Sequence, residues 1–125
     1  MTPTELRALG TARATFDGLE TFAAPAGLGK VLLVSDECCA VCPVTGQPDW
    51  YTIEATYAPS GGKCIESKTF KLYVQSFKND GMFCEQFASR MASDISAAVA
   101  SPVTVTVRQK PRGGVAIHAT ATIGD

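Results

Sequence analysis

The sequence predicts an α+β domain whose antiparallel sheet carries its helices on one face. Three observations predict it. Short β-branched runs come first, segments with apolar residues at every fourth position occupy the middle, and two strictly alternating runs close the chain. Strands, then helices, then strands do not give the regular strand–helix alternation of a parallel sheet. A length of 125 residues suits one domain. We divide it into an N-terminal arm, 1–29, and a single folded domain, 30–125.

The arm is weakly patterned, punctuated by Gly10, Gly18, Pro25, Gly27 and Gly29, and reads as partly extended. Residues 30–36, Lys-Val-Leu-Leu-Val-Ser-Asp, form the first strand. A loop at 42–49 separates it from a second strand, 50–57, rich in Thr, Ile, Tyr and Trp. The pair suits an antiparallel arrangement that ends at the turn Pro-Ser-Gly-Gly, 59–62. Phe70, Val74 and Phe77 place a helix over 69–78, broken by Asn79-Asp80-Gly81. Phe83, Phe87, Met91, Ile95 and Val99, with Ala88, Ala92 and Ala98 beside them, place a longer helix over 82–100. That stripe is core packing, and Pro102 stops the helix.

Val103, Val105 and Val107 alternate with Thr104, Thr106 and Arg108, and Val115, Ile117, Ala119 and Ala121 alternate likewise. Lys-Pro-Arg-Gly-Gly, 110–114, is the turn between them. His118, the single histidine, falls on the face opposite Val115 and Ile117, a polar-face or interface position. A four-stranded sheet leaves two open edges. We read the Thr-rich, uncharged run 103–107 as an edge that neighbouring subunits close, so self-association is expected.

Eleven basic and twelve acidic residues leave a net charge of −1, which gives no global field for nucleic acid or an anionic membrane. No apolar stretch approaches the roughly 18 residues that span a bilayer. The N-terminus shows no basic segment leading into an apolar run, so a cytoplasmic protein is expected. Five cysteines, Cys38, Cys39, Cys42, Cys64 and Cys84, are an odd number and argue for free thiols. Cys39 and Cys42 form a CxxC without a second pair at similar spacing, so neither zinc nor any other metal is expected.

The chemistry concentrates in Cys-Pro-Val-Thr-Gly-Gln-Pro-Asp, 42–49. Pro43 and Pro48 stiffen the segment and Gly46 permits its reversal. Asp49 can thus return to hydrogen-bond reach of the Cys42 sulfur, the arrangement a nucleophile and its acid–base partner need. Taken alone, the run also reads as an ordinary Pro-rich turn with no chemistry.

Five segments together resemble the QueF family: 42–49, Glu-Ser-Lys-Thr-Phe-Lys-Leu-Tyr at 66–73, Ser-Phe-Lys-Asn at 76–79, Phe-Cys-Glu at 83–85 and Pro-Arg-Gly-Gly at 111–114. These are the NADPH-dependent 7-cyano-7-deazaguanine reductases of the queuosine pathway, and the resemblance runs in family order from about 34 to 117. It implies a tunnelling fold (T-fold) whose barrel is closed by oligomerisation, typically a homodecamer of two stacked pentameric rings, with active sites between subunits. It implies Cys42 as the nucleophile that forms a thioimidate with the nitrile, and Asp49 as the proton shuttle to nitrogen. Two NADPH then deliver two hydrides in succession. Lys68, Lys71 and Arg112 match the cofactor segment; without the resemblance they read as a solvated basic face. Glu85 matches the glutamate that grips the guanidine-like edge of the purine, with Glu66 and Ser67 assisting; a glutamate in a first helical turn also simply suits the dipole.

Two departures stand out. The family's Phe-His-Glu reads Phe83-Cys84-Glu85, and a thiol cannot replace imidazole as a neutral-pH proton donor and acceptor. Cys84 is a candidate redox partner of Cys42 instead. Cys38-Cys39 stands where relatives carry Phe-Thr, a packing change. The departures keep two alternatives open: an amidinotransferase of the QueF-like branch, which adds ammonia to the same nitrile on nucleic acid without cofactor, and a non-catalytic purine- or zinc-binding T-fold relative.

Overall fold

The structure is a computed structural model, and it describes residues 16–124. Positions 1–15 of the arm lie outside the described residues. Eight elements follow in order: β1 (Thr21–Ala23), β2 (Val31–Val41), β3 (Pro48–Tyr57), β4 (Lys63–Ile65), α1 (Ser67–Gln75), α2 (Cys84–Val99), β5 (Val103–Arg112) and β6 (Val115–Ile123). The main sheet is antiparallel throughout, in the order β2-β3-β5-β6.

Alternation decides which side of this sheet is dry. Ile53, Val107 and Ala119 stand in register across three strands, as do Ala55, Val105 and Ala121. Their common face receives the buried stripe of α2: Phe87, Met91, Ile95 and Val99. Helix α1 lies against β2 with Phe70, Tyr73 and Val74 buried. Both helices therefore share one face, as the sequence predicts.

The expectation that 103–107 forms an edge is wrong. β5 lies between β3 and β6, and the edges are β2 and β6. A strand with valine on one face and threonine on the other has the same pattern at either place. Here the threonine row gains a second neighbour, with hydroxyl bonds from Thr104 to Thr122 (2.8 Å) and from Thr106 to Thr120 (2.9 Å). Only pairing across the chain distinguishes the two cases.

Other boundaries move for local reasons. A register shift between Ser35 and Cys38 carries β2 on to Val41 and turns Cys38 and Ala40 into the core. Helix α1 begins at Ser67, earlier than predicted, because the Glu66 carboxylate caps it, accepting from the Lys68 and Thr69 amides at 2.8 and 2.9 Å. The β5–β6 ladder continues to the pair Arg112–Val115, so the turn shrinks to Gly113-Gly114, both with positive φ (58° and 78°). The two-stranded sheet of β1 and β4 is too short to show in any periodicity. It ties 16–29 to the domain, helped by Phe16 against the Tyr73 ring at 5.4 Å.

Candidate active site

The end of β2 is fixed by the connection between the helices. Val41 donates to the Asp80 carbonyl at 2.9 Å and accepts from Met82 at 3.3 Å. The chain then reverses: the Gly46 amide donates to the Cys42 carbonyl and the Cys42 amide to the Gln47 carbonyl, both at 2.8 Å. Gly46 adopts φ 72°, which its missing Cβ allows. This turn aims donors at the half-buried Cys42 thiol. The Thr45 hydroxyl foremost, then the Thr45 and Val44 amides, hold the thiol below its ordinary range, against partial burial and the Asp49 charge. The Cys42 thiol is thus tuned towards the thiolate by its own loop.

Asp49, 6% exposed, sits at the start of β3 on the helix-facing side. Arg112, at the end of β5, makes an ion pair with its Oδ1 and also donates to the Pro48 carbonyl (3.1 Å) and to Gln47 Oε1 (2.9 Å). Cys84 opens α2 beneath this cluster. Its buried thiol donates towards the carbonyls of Val107 (3.5 Å) and Ile117 (3.7 Å), and burial, then Glu85, raise it above its ordinary range. Glu85 is exposed in the first turn of α2, where the dipole favours its charge. All five cysteines are free thiols.

Cys42, Asp49, Cys84, Glu85 and Arg112 thus gather at one end of the sheet, delivered by four different segments. The start of α1 does not join them. Ile65, just before it, donates to the Tyr57 hydroxyl at 2.9 Å, at the far end of β3. Eight residue steps at about 3.3 Å put the backbone of Tyr57 roughly 26 Å from that of Asp49. Glu66 is buried and engaged as the helix cap. Ser67 and Lys71 are exposed and line a groove of about 290 Å³ with Asp36, Glu37 and Phe70. Lys68 and Lys71, one turn apart at a helix start, fit a ligand with phosphate groups.

Reasoning from the sequence passed over two residues. Thr45 was visible as part of a turn, but its donor role appears only when the turn closes on the sulfur. Tyr51 shares the face of Asp49 by simple alternation; it is fully buried and stands edge-on to Phe87, with ring centroids 5.1 Å apart.

An antiparallel sheet backed by two helices, with a cysteine and a buried acid at one end, places the chain in the T-fold class. Comparison with known proteins narrows this further. A family model described as QueF-like protein matches residues 48–125, and the chain belongs to that family. It is 40% identical over 119 residues to the NADPH-dependent 7-cyano-7-deazaguanine reductase of Frankia casuarinae, covering 94% of each chain. It is 42% identical over 113 residues to the enzyme of the same name from Rhodopirellula baltica, covering 87% of this chain and 92% of the relative. Among solved structures, the apo form of the archaeosine synthase QueF-Like superposes with a TM-score of 0.70 at 26% identity, over 78% of this chain and 95% of the other.

Proposed function

We propose that this chain is an NADPH-dependent 7-cyano-7-deazaguanine reductase, which takes the nitrile to a primary amine at the expense of two NADPH. The observation that carries the chemistry is the Cys42 turn, whose Thr45 donors favour the thiolate beside a buried acid. The thiolate adds to the nitrile carbon, and Asp49 supplies the proton that the nitrogen acquires, leaving a thioimidate on Cys42. When bound, NADPH would supply hydride to that carbon twice in succession; after the first the carbon–sulfur bond breaks, returning the Cys42 thiolate and an imine that the second hydride, with a proton from water, reduces to the amine. Arg112 pairs with Asp49 and, in our reading, turns from it to the cofactor. Glu85 holds the guanidine-like edge of the base.

The roughly 26 Å between the two residue groups supports a site shared between subunits. Cys42 and Asp49 come from one chain; Ser67, Lys68 and Lys71 come from its neighbour, with Glu66 holding the start of that helix. A homodecamer of two stacked pentamers is the assembly we infer, and a cytoplasmic location suits its supply of reduced nicotinamide. Protein, 7-cyano-7-deazaguanine and NADPH are mixed, and nicotinamide absorbance and intact protein mass are followed together. Two NADPH consumed per amine formed is the expected result.

One observation favours a second reading. Cys84 stands where the reductases carry histidine, and the chain superposes on the archaeosine synthase. A covalent adduct on Cys42 with no loss of NADPH would replace the reductase reading by ammonia addition to the nitrile.

A further inference from the structure

Tyr51 is an anomaly in an otherwise satisfied core. Its side chain is 0% exposed, yet its hydroxyl is a buried polar atom with no hydrogen-bond partner among the described residues. Buried phenols almost always find an acceptor, because leaving the group unpaired forfeits the hydration it had in water. The ring leaves little freedom, being held edge-on against Phe87 at 5.1 Å.

The surroundings of that hydroxyl are the active site. Asp49 precedes Tyr51 by two residues on the same face of β3, so their Cβ atoms are about 7 Å apart. Cys38 pairs with Tyr51 across the β2–β3 ladder, and Ala40 pairs with Asp49. Among its neighbours, the Asp49 carboxylate acts most strongly on the phenol. Asp49 is gripped through Oδ1 by Arg112.

We propose that Tyr51 is a positioning residue for Asp49, its buried hydroxyl donating to the Asp49 carboxylate through one trapped water. Arg112 holds the carboxyl from β5, and the phenol holds it from the core. The acid therefore keeps its orientation towards the nitrile nitrogen after Arg112 turns to other ligands. Burial first, and then the Asp49 charge, push the phenol above its ordinary range, so it remains a proton-bearing donor at neutral pH. A water in this position has the partners it needs, the phenol and the carboxylate. Asp49 is thus approached by Arg112 from β5, by Cys42 from the turn and by Tyr51 from its own strand.

The proposal rests on the reductase reading for its effect on rate but not for its geometry, so two measurements separate them. Urea midpoints of wild type, Tyr51→Phe, Asp49→Asn and the double variant test the coupling without any ligand. Non-additive shifts are expected, since removing either partner removes the shared interaction. Additive shifts overturn the proposal. Next, the rate of covalent adduct formation with 7-cyano-7-deazaguanine is followed by intact mass. Tyr51→Phe should slow it about tenfold, the weight of one hydrogen bond to a charged group, with substrate affinity within twofold of wild type. A rate equal to wild type overturns the role in positioning, because a purely packing tyrosine loses nothing on becoming phenylalanine. If wild type itself forms no adduct, the reductase reading falls, and the urea cycle alone decides whether Tyr51 and Asp49 are coupled.

Discussion

The donors around the Cys42 thiol come from its neighbours in sequence. Thr45, reached through the Gly46 reversal, presents both hydroxyl and amide to the sulfur, and these lower its ionisation range while Asp49 opposes them. Removing the hydroxyl therefore raises that range. Thr45→Val should move the midpoint of a pH–alkylation profile at Cys42 to higher pH, read with iodoacetamide and intact mass. Only thiolate is alkylated, so the variant should react more slowly near neutral pH and equally at high pH. An unmoved midpoint would assign the lowering to the Thr45 and Val44 amides instead. The candidate redox pair makes a separate demand. Cys84 would have to leave the Val107 and Ile117 carbonyls to reach Cys42, and oxidised protein with all five thiols titratable would end that idea.

The helices show where local chemistry sets the ends of elements. α2 closes with Ala100 in the left-handed region at φ 53°, a conformation that costs an alanine about 1 kcal/mol. Ala100→Gly should accordingly stabilise the protein by up to about 1 kcal/mol in urea unfolding. Gly61 lies against the same helix end. A Cβ there would meet the carbonyl oxygens of Val99 and Ala100 inside van der Waals contact, so Gly61→Ala should destabilise, and by more than a surface substitution does. At the start of α1, Glu66→Ala removes a two-bond cap and should cost about 1–2 kcal/mol of stability. That loss tests the capping role separately from any ligand contact.

Across the whole molecule, the helix-free face of the sheet is the unfinished part. Leu32 (55% exposed), Val34 (58%) and Trp50 (50%) stand on it among the threonine rows, and both edge strands, β2 and β6, are open. Apolar side chains on an uncovered sheet bordered by free edges are what assembly into a barrel would bury. Val34→Lys in β2 should shift the sedimentation pattern from the proposed decamer towards monomers while circular dichroism stays unchanged. Reductase activity should fall with it, because Lys68 and Lys71 reach Cys42 only from another subunit in our reading. A fully active monomer would remove the shared-site account.

Periodicity was enough for the two helices, for the antiparallel character of the sheet and for the dry face, because side-chain direction in a strand or helix is a local property. The Cys42 turn was legible for the same reason, its prolines and glycine acting on their own dihedrals. Strand order was not, and the run 103–107 passed for an edge because hydrogen bonding to a second neighbour leaves no trace in a single strand's alternation. Nor could any local pattern disclose that Arg112, distant along the chain, closes over Asp49, or that the Tyr51 hydroxyl ends buried beside it. Such contacts join residues far apart in sequence or depend on what packing removes from water, and they come into being only when the sheet is assembled.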